Sequence, residues 1–270
     1  MTGTMLGKLL LGISAVSLLL VFHVGATAAT LHAESLSSLA IKAAAANPEE
    51  WRFVFMGDNR GNDRKFRKAL KLAARHNPLF ILHGGDIAER GTADELAHFL
   101  VTVRDIPGLP PLFVVRGNHE MDAGLFEKLI GPKNFILDSQ RLGFRLVAVD
   151  NSDYSLKDTE LAFLGKMLDQ SRKSQFVSMH IPPKTERWIR HSFENGKDSL
   201  VKLLAERKVK LGLFAHVHLF DKEEINGVPC IISGGAGAQL SYFGYPGIAE
   251  YHIVVVEIKK GKVSYRVEKL

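Results

Sequence analysis

The chain has 270 residues, a hydrophobic fraction of 46%, a charged fraction of 24% and a formal net charge of +6. That length suits one large domain or two small ones, and the balance excludes a disordered or fibrous chain. The mild basic excess favours anionic partners. No arginine-rich tract, aromatic-interleaved basic stripe or nucleic-acid motif accompanies it, so nucleic-acid binding is not expected.

At the N-terminus, Lys8 precedes a mostly apolar stretch from Leu9 to Val24, and small residues follow from Gly25 to Ala29. A charged start, an apolar stretch and the A-x-A sequence Ala26-Thr27-Ala28 have the order of a secretory signal, with cleavage after Ala28. The stretch is short for a membrane span of about 20 residues. The expectation is a signal peptide over residues 1–28 and an exported protein, periplasmic or secreted. The alternative is an uncleaved segment that anchors the chain, the one route to membrane contact. Residues 29–50 read as a leader or linker, poorly ordered or holding one short helix, ahead of a domain over 51–270.

From Trp51 onward, short apolar strands alternate with helical patterns. Trp51–Phe55 reads as a strand running into Gly57-Asp58, and a helix over Asp63–His76 carries Phe66, Ala69, Leu70, Ala73 and Ala74 on one face. A strand over Leu79–Leu82 leads to Gly84-Gly85-Asp86. Thr92 with Glu95 makes a capping box that opens a helix to about Arg104. The strand at Leu112–Val115 leads to Gly117-Asn118-His119-Glu120, and Ala123–Ile130 has helical character. Further along come a strand over Phe144–Val149, a helix over Thr159–Lys173, a strand over Gln175–Met179 ending at His180, a helix capped by Asp198 or Ser199, and a strand over Leu211–Phe214 leading to His216. Asn226-Gly227 signals a hairpin, and Lys259–Lys262 another. The reading is α/β up to His218 and mostly β after it. Cys230 is the one cysteine; within the apolar run Val228–Ile232 it reads as a buried structural thiol.

Five of these strands run into a residue able to hold a metal: Asp58, Asp86, Asn118, His180 and His216, with His218 two positions on. In open α/β sheets, sites form beyond the carboxyl ends of the strands. Two carboxylates, an amide oxygen and three imidazoles suit a borderline divalent ion such as Mn, Fe, Zn or Co, and the lack of thiols argues against a soft site. Each piece alone has a plainer reading, as a turn, a helix cap or a core histidine. Their occurrence in one order, all at strand ends, is what points to a site.

These pieces together resemble the calcineurin-like metallophosphoesterase superfamily, with Gly57-Asp58-Asn59-Arg60, Gly84-Gly85-Asp86, Gly117-Asn118-His119-Glu120, His180 and His216-Val217-His218 carrying the likeness. The resemblance implies a four-layer αββα sandwich of two mixed sheets flanked by helices. It also implies a two-metal site in which Asp86 bridges the ions, Asp58 and His218 serve the first, and Asn118, His180 and His216 serve the second. His119 is then no ligand but lies beside the substrate as general acid or charge stabiliser. The implied activity is hydrolysis of a phosphomonoester or phosphodiester on a small phosphorylated substrate, by a hydroxide that the two divalent ions generate. Asp86 and His119 are the expected catalytic residues, and Arg60 and His119 the expected substrate contacts.

One departure stands out. The superfamily's first motif usually reads Asp-x-His, whereas this chain has Arg60, which stays protonated and offers no lone pair. Water or the Asn59 carbonyl then completes the first site, or that ion is held weakly, or Arg60 takes over part of the cationic role by clamping phosphate. The favoured expectation is a weaker first ion with Arg60 near the phosphate. Ala215, at a position where the superfamily commonly has glycine, is expected to matter little. The alternative function is a degenerate member that binds a metal or phospho-ligand without turnover. A serine hydrolase or a phosphate-loop NTPase is disfavoured, because neither Gly-x-Ser-x-Gly in the mature chain nor Gly-x-x-x-x-Gly-Lys occurs.

Overall fold

The computed structural model of the chain describes residues 29–168, 171–241 and 245–270. The expected signal segment lies outside them, as do Tyr242 and Phe243. Among the described residues, no helix is long and apolar enough to cross a membrane.

Two sheets stack face to face. In the first, β1 (Glu50–Met56), β2 (Ile81–His83) and β3 (Leu112–Val114) run parallel, and β1 also pairs antiparallel with β10 (His252–Lys259), which pairs with β11 (Lys262–Lys269). The second has the order β4 (Phe135–Ser139), β5 (Phe144–Ala148), β6 (Ser174–Ser178), β7 (Leu211–Phe214), β9 (Val228–Ser233), β8 (Phe220–Ile225). Its four inner strands are parallel, and β4 and β8 close its edges antiparallel.

The period of two along a strand decides which layer each side chain enters. In β1, Phe53 and Phe55 face the second sheet and meet Phe80, Phe113, Phe144 and Phe176, while Val54 and Met56 face outward. That outward face is covered by α2 (Asp63–Arg75), α3 (Ala93–Arg104) and α4 (Ala123–Leu129) through Phe66, Leu70, Leu96, Phe99 and Phe126. The second sheet's outer face is covered by α5 (Asp158–Met167) and α6 (Lys197–Glu206) through Leu164, Leu200 and Leu204. The architecture is thus the four-layer αββα sandwich.

Residues 29–50 take the helical one of their two expected forms. They carry α1 (Leu31–Ala45), fifteen residues capped by Thr30, and this helix buries Leu31, Ser35 and Leu39 against the domain. The Ser35 hydroxyl donates to Leu112 O at 2.8 Å, and Leu112 N donates back to Ser35 Oγ at 3.1 Å. A helix side chain thereby satisfies the otherwise open edge of β3. Three local readings need revision. Helix α5 ends at Met167, short of Lys173. Helix α6 opens from Gly196 in the left-handed region at φ 87°, with no side-chain cap from Asp198 or Ser199. The short edge strand β4 is an addition, since its residues lack a clear alternation of polar and apolar character. The capping box at Thr92 and Glu95 forms as read, and Asn226-Gly227 turns the β8–β9 hairpin with positive φ at both residues.

Candidate functional site

Every residue of the expected constellation sits just past the carboxyl end of a parallel strand. Asp58 follows β1, Asp86 follows β2, Asn118 follows β3, His180 follows β6, and His216 and His218 follow β7. The two stacked sheets bring these ends to one rim. The turns are tight: Asp58, Arg60, Asp86 and His216 hold φ of 61°, 42°, 56° and 68°. Non-glycine residues in the left-handed region cost about 1–3 kcal/mol each and persist only where surrounding contacts impose them. Those contacts are visible. Asp58 N donates to Gly85 O and Arg60 N to Asp86 O, each at 3.0 Å, and His216 N donates to Asp58 Oδ2 at 3.0 Å.

The ligand atoms form two groups that share one carboxylate. Asp86, His180 and His216 gather in one, and Asp58, Asp86 and His218 in the other, with atoms inside each lying within 4.8 Å of one another. His180 Nε2 lies 3.3 Å from Asp86 Oδ1, 3.1 Å from His216 Nδ1 and 3.0 Å from Asn118 Oδ1. Ligand atoms around a tetrahedral ion, each about 2.1 Å from it, stand roughly 3.4 Å apart, so this spacing fits one cation. In the other group His218 Nε2 is 3.7 Å from Asp58 Oδ1, and that buried oxygen has no hydrogen-bond partner. An orphaned carboxylate oxygen deep in a protein is costly, and a cation would satisfy it. The residues present therefore fit two divalent ions with oxygen and nitrogen donors.

Electrostatics agree with that fit. Burial raises the Asp58 carboxyl well above its ordinary range, with the charge of Asp86 adding to it. Burial would raise Asp86 as well, but the charge of His180 and their hydrogen bond outweigh it and hold Asp86 well below the usual range. His180 would be lowered by burial, yet Asp86 and Asp58 push it up to about 9. Burial drives His216 down to about 2, so its imidazole is neutral and able to ligate.

Glu120 closes the Gly-Asn-His-Glu turn from beneath. It is fully buried and accepts from Gly117 N at 2.9 Å, Asp86 N at 3.0 Å and Ala88 N at 3.2 Å, binding the Asp86 and Asn118 turns to each other. Burial and the nearby charge of Asp86 push its carboxyl up to about 7. Gly117 must stay bare, because a Cβ there would fall 2.2 Å from Asp86 Oδ1. Ala215 is more than neutral filler: a Cβ on Gly57 or on Gly84 would meet the Ala215 Cβ at 2.7 Å.

His119 N donates to Asp86 Oδ1 at 3.1 Å, its Nδ1 lies 2.6 Å from Glu89 O, and its Nε2 is 3.8 Å from Asp86 Oδ2. The ring thus borders both groups without joining either. Arg60 reaches Glu89 instead of a ligand position, and its buried Nε has no partner. A cleft of about 500 Å³ runs beside this pair, lined in part by Ile87, Ala88 and Phe99. Trp188, on the loop between β6 and α6, is packed in the core and donates from Nε1 to Asp221, so it supports the fold. Tyr154 does not pack away; its hydroxyl lies 2.8 Å from His216 Nε2. Gly234, just past β9, also comes close to the site, since a Cβ there would lie 2.8 Å from Asp58 Oδ2. Glu120 and Tyr154 are the residues whose part the sequence reading missed. Glu120 stood inside a quoted motif without a role, and Tyr154 stood in a loop with nothing to set its direction. Cys230 is buried and its thiol is pushed up to about 12, which leaves it inert.

The sequence pattern of calcineurin-like phosphoesterases matches residues 52–220. Among curated proteins no sequence match was found. In structure the chain is similar to the purple acid phosphatase PPD1 from yellow lupin (Lupinus luteus) seeds, with a TM-score of 0.65 at 15% identity over 82% of this chain; it spans about half, 51%, of that protein. It is also similar to GAP50, the anchor in the inner membrane complex of Plasmodium, with a TM-score of 0.63 at 15% identity over 82% of this chain and 84% of that one. A dimetal phosphatase from Danio rerio gives 0.58 at 13% identity, covering 81% and 98%.

Proposed function

This chain belongs to the calcineurin-like phosphoesterases, whose pattern covers residues 52–220, and from that premise we propose that it is a metal-dependent hydrolase of phosphomonoesters or phosphodiesters. The observation that carries the reading is the position of Asp86, shared by both ligand groups, with His119 directly beside it. Asp58, Asp86 and His218 would hold one divalent ion, and Asp86, Asn118, His180 and His216 the other, with Mn, Fe or Zn as the candidates. Such ions, when bound, supply positive charge that offsets the phosphate and acidify the attacking water.

The remaining work falls to the chain. His119 carries its hydrogen on Nδ1, fixed by the Glu89 carbonyl, so Nε2 faces the substrate side. From there it holds a proton for the leaving oxygen or stabilises its charge. Arg60, at the cleft beside Glu89, is placed to meet phosphate oxygens when its pair opens. Glu120 keeps the Asp86 and Asn118 turns in register while the substrate binds.

The test is metal analysis of the purified protein together with turnover of aryl phosphate mono- and diesters. Activity with Mn, Fe or Zn that vanishes in Asp86→Asn supports the reading, and unchanged turnover in that variant removes it. A second reading, a binding protein without turnover, is favoured by one observation: Arg60 follows Asp58 by two positions, where the Asp-x-His pattern would put a histidine, and is tied to Glu89. Ion binding with no turnover of any phosphoester would establish it. We read the chain as exported, on the strength of Lys8, the apolar stretch and Ala26-Thr27-Ala28. A mature protein beginning at Ala29 outside the cytoplasm supports export. A full-length chain in the membrane fraction supports the anchored alternative.

A further inference from the structure

Each imidazole of the site is oriented through its outer ring nitrogen. Nδ1 of His180, His218 and His119 lies 2.8, 2.7 and 2.6 Å from the carbonyls of Gly84, Gln239 and Glu89. A carbonyl only accepts, so each Nδ1 carries the hydrogen and each Nε2 turns inward. His216 is reversed. Its Nδ1 faces His180 Nε2 at 3.1 Å, and its outer Nε2 meets a side chain, the Tyr154 hydroxyl at 2.8 Å.

We propose that Tyr154 is the positioning residue of His216: its hydroxyl oxygen accepts the Nε2–H and leaves Nδ1 bare toward Asp86 and His180. The inference rests on the two-ion reading given above. Three further observations support it. The Tyr154 ring stands edge-on to His216, with centroids 5.2 Å apart and planes at 85°, so ring and hydroxyl both meet the imidazole. Tyr154 holds φ 60°, a conformation its surroundings must impose. They do so through Asn151, which is buried, accepts from Ile181 N at 3.1 Å and donates to Ile181 O at 2.8 Å. Tyr154 N in turn donates to Asn151 O at 3.0 Å. The loop that presents the hydroxyl is therefore locked to the residue next to His180, and the two imidazoles of one ion site share a common anchor. Outer partners of this kind set ligand tautomer and orientation, and their loss typically weakens metal binding about 10–100-fold.

Tyr154→Phe is the test. It keeps the ring and the backbone demand and removes only the oxygen, at a position 42% exposed. The full-length protein and the variant are titrated with Co²⁺ by calorimetry and visible absorption, with His216→Ala marking the step that belongs to this site. The expected result is a loss of roughly 10–100-fold in affinity at that step, with the other step unchanged. In the metal-free protein, ¹⁵N ring spectra should show His216 protonated on Nε2 in the wild type and a tautomer mixture in the variant. A variant with wild-type ion affinities overturns the proposal, whatever its tautomer. If the wild type takes up no ion, the two-ion reading itself fails. The tautomer then decides the contact alone, and an unchanged tautomer in the variant rules it out.

Discussion

Arg60 Nη2 lies 2.5 Å from Glu89 Oε1, and the carbonyl of the same Glu89 holds His119 Nδ1 at 2.6 Å. One residue thus holds both Arg60 and the imidazole that lies beside Asp86. The pair is partly exposed, so it contributes at most about 1 kcal/mol to stability. If the Asp58, Asp86 and His218 group holds an ion as proposed, the effect of Arg60 on ion binding is larger, because an arginine offers no nitrogen ligand to that group. Arg60→His is predicted to raise affinity for the ion at that group by about tenfold or more, a gain of roughly 1.4 kcal/mol or above. Titration calorimetry reads this directly. Equal affinities in the two proteins would show that another donor already completes the site.

The buried charges predict how the metal-free protein responds to pH. Glu120 is pushed up to about 7 and His180 up to about 9, and Asp58 is raised as well. In each case the folded state binds its proton more firmly than the unfolded state. Stability from these groups is full below their unfolded values and is lost as pH rises through the folded ones. For Glu120 that window is about 4.5 to 7, and for His180 about 6.5 to 9. Asp86, held low, acts in the opposite sense only at pH values below its ordinary range. His216 and His83, driven by burial down to about 2 and about 3, act in the opposite sense, as do His218, His252 and His32, also lowered by burial; these groups add stability as pH rises toward 6.5. The melting temperature of the chelated protein should therefore fall only above that value, from about pH 7 to pH 9. Divalent ions compete with the His180 proton, so the loaded protein should lose this slope, and ion uptake near pH 7.5 should release protons. Calorimetry in two buffers of different ionisation enthalpy measures that release.

Gly84 is predicted to be intolerant of a methyl group. An added Cβ would meet Ala215 Cβ at 2.7 Å and the Phe55 ring at 3.2 Å, between two sheets that cannot separate locally. Gly84→Ala should destabilise the fold by about 1–3 kcal/mol through overpacking. Gly84→Ala combined with Ala215→Gly should recover most of that loss. Chemical denaturation of the three variants checks both statements, and a failure of the double variant would place the strain elsewhere.

Much of the fold was legible because it rests on local signals. The alternation in β1, the apolar face of α2 and the capping box of α3 each declare themselves within a dozen residues. That the six candidate residues would gather at one rim was legible for a related reason: each closely follows an apolar strand, so a parallel sheet carries it there. Three things were not legible. Helix α1 is Ala- and Ser-rich, and its place is set by Ser35 bonding to the edge of β3, a partner 77 positions away. The partner of Arg60 depends on the course of the Asp86–Arg90 turn. The direction of Tyr154 depends on Asn151 reaching Ile181 across two loops. All three are settled by long-range contacts that no local window contains.

His119 offers the sharpest separation between catalysis and metal binding. It touches the site through its backbone N–H on Asp86 Oδ1, at 3.1 Å, a contact that survives truncation of the ring. The side chain points past both ligand groups, with Nε2 no closer than 3.8 Å to Asp86 Oδ2. His119→Ala should therefore retain both ions with near wild-type affinity. It should lose the proton or positive field at the leaving oxygen, worth about 10²–10⁴-fold in kcat. The size of that loss must depend on the substrate. A p-nitrophenolate leaves without help, whereas an alkoxide needs a proton, so an alkyl phosphate should suffer far more than p-nitrophenyl phosphate. Comparing kcat for the two esters in wild type and variant checks this. An equal loss on both would mean that His119 stabilises charge on the phosphoryl group and does not act on the departing oxygen.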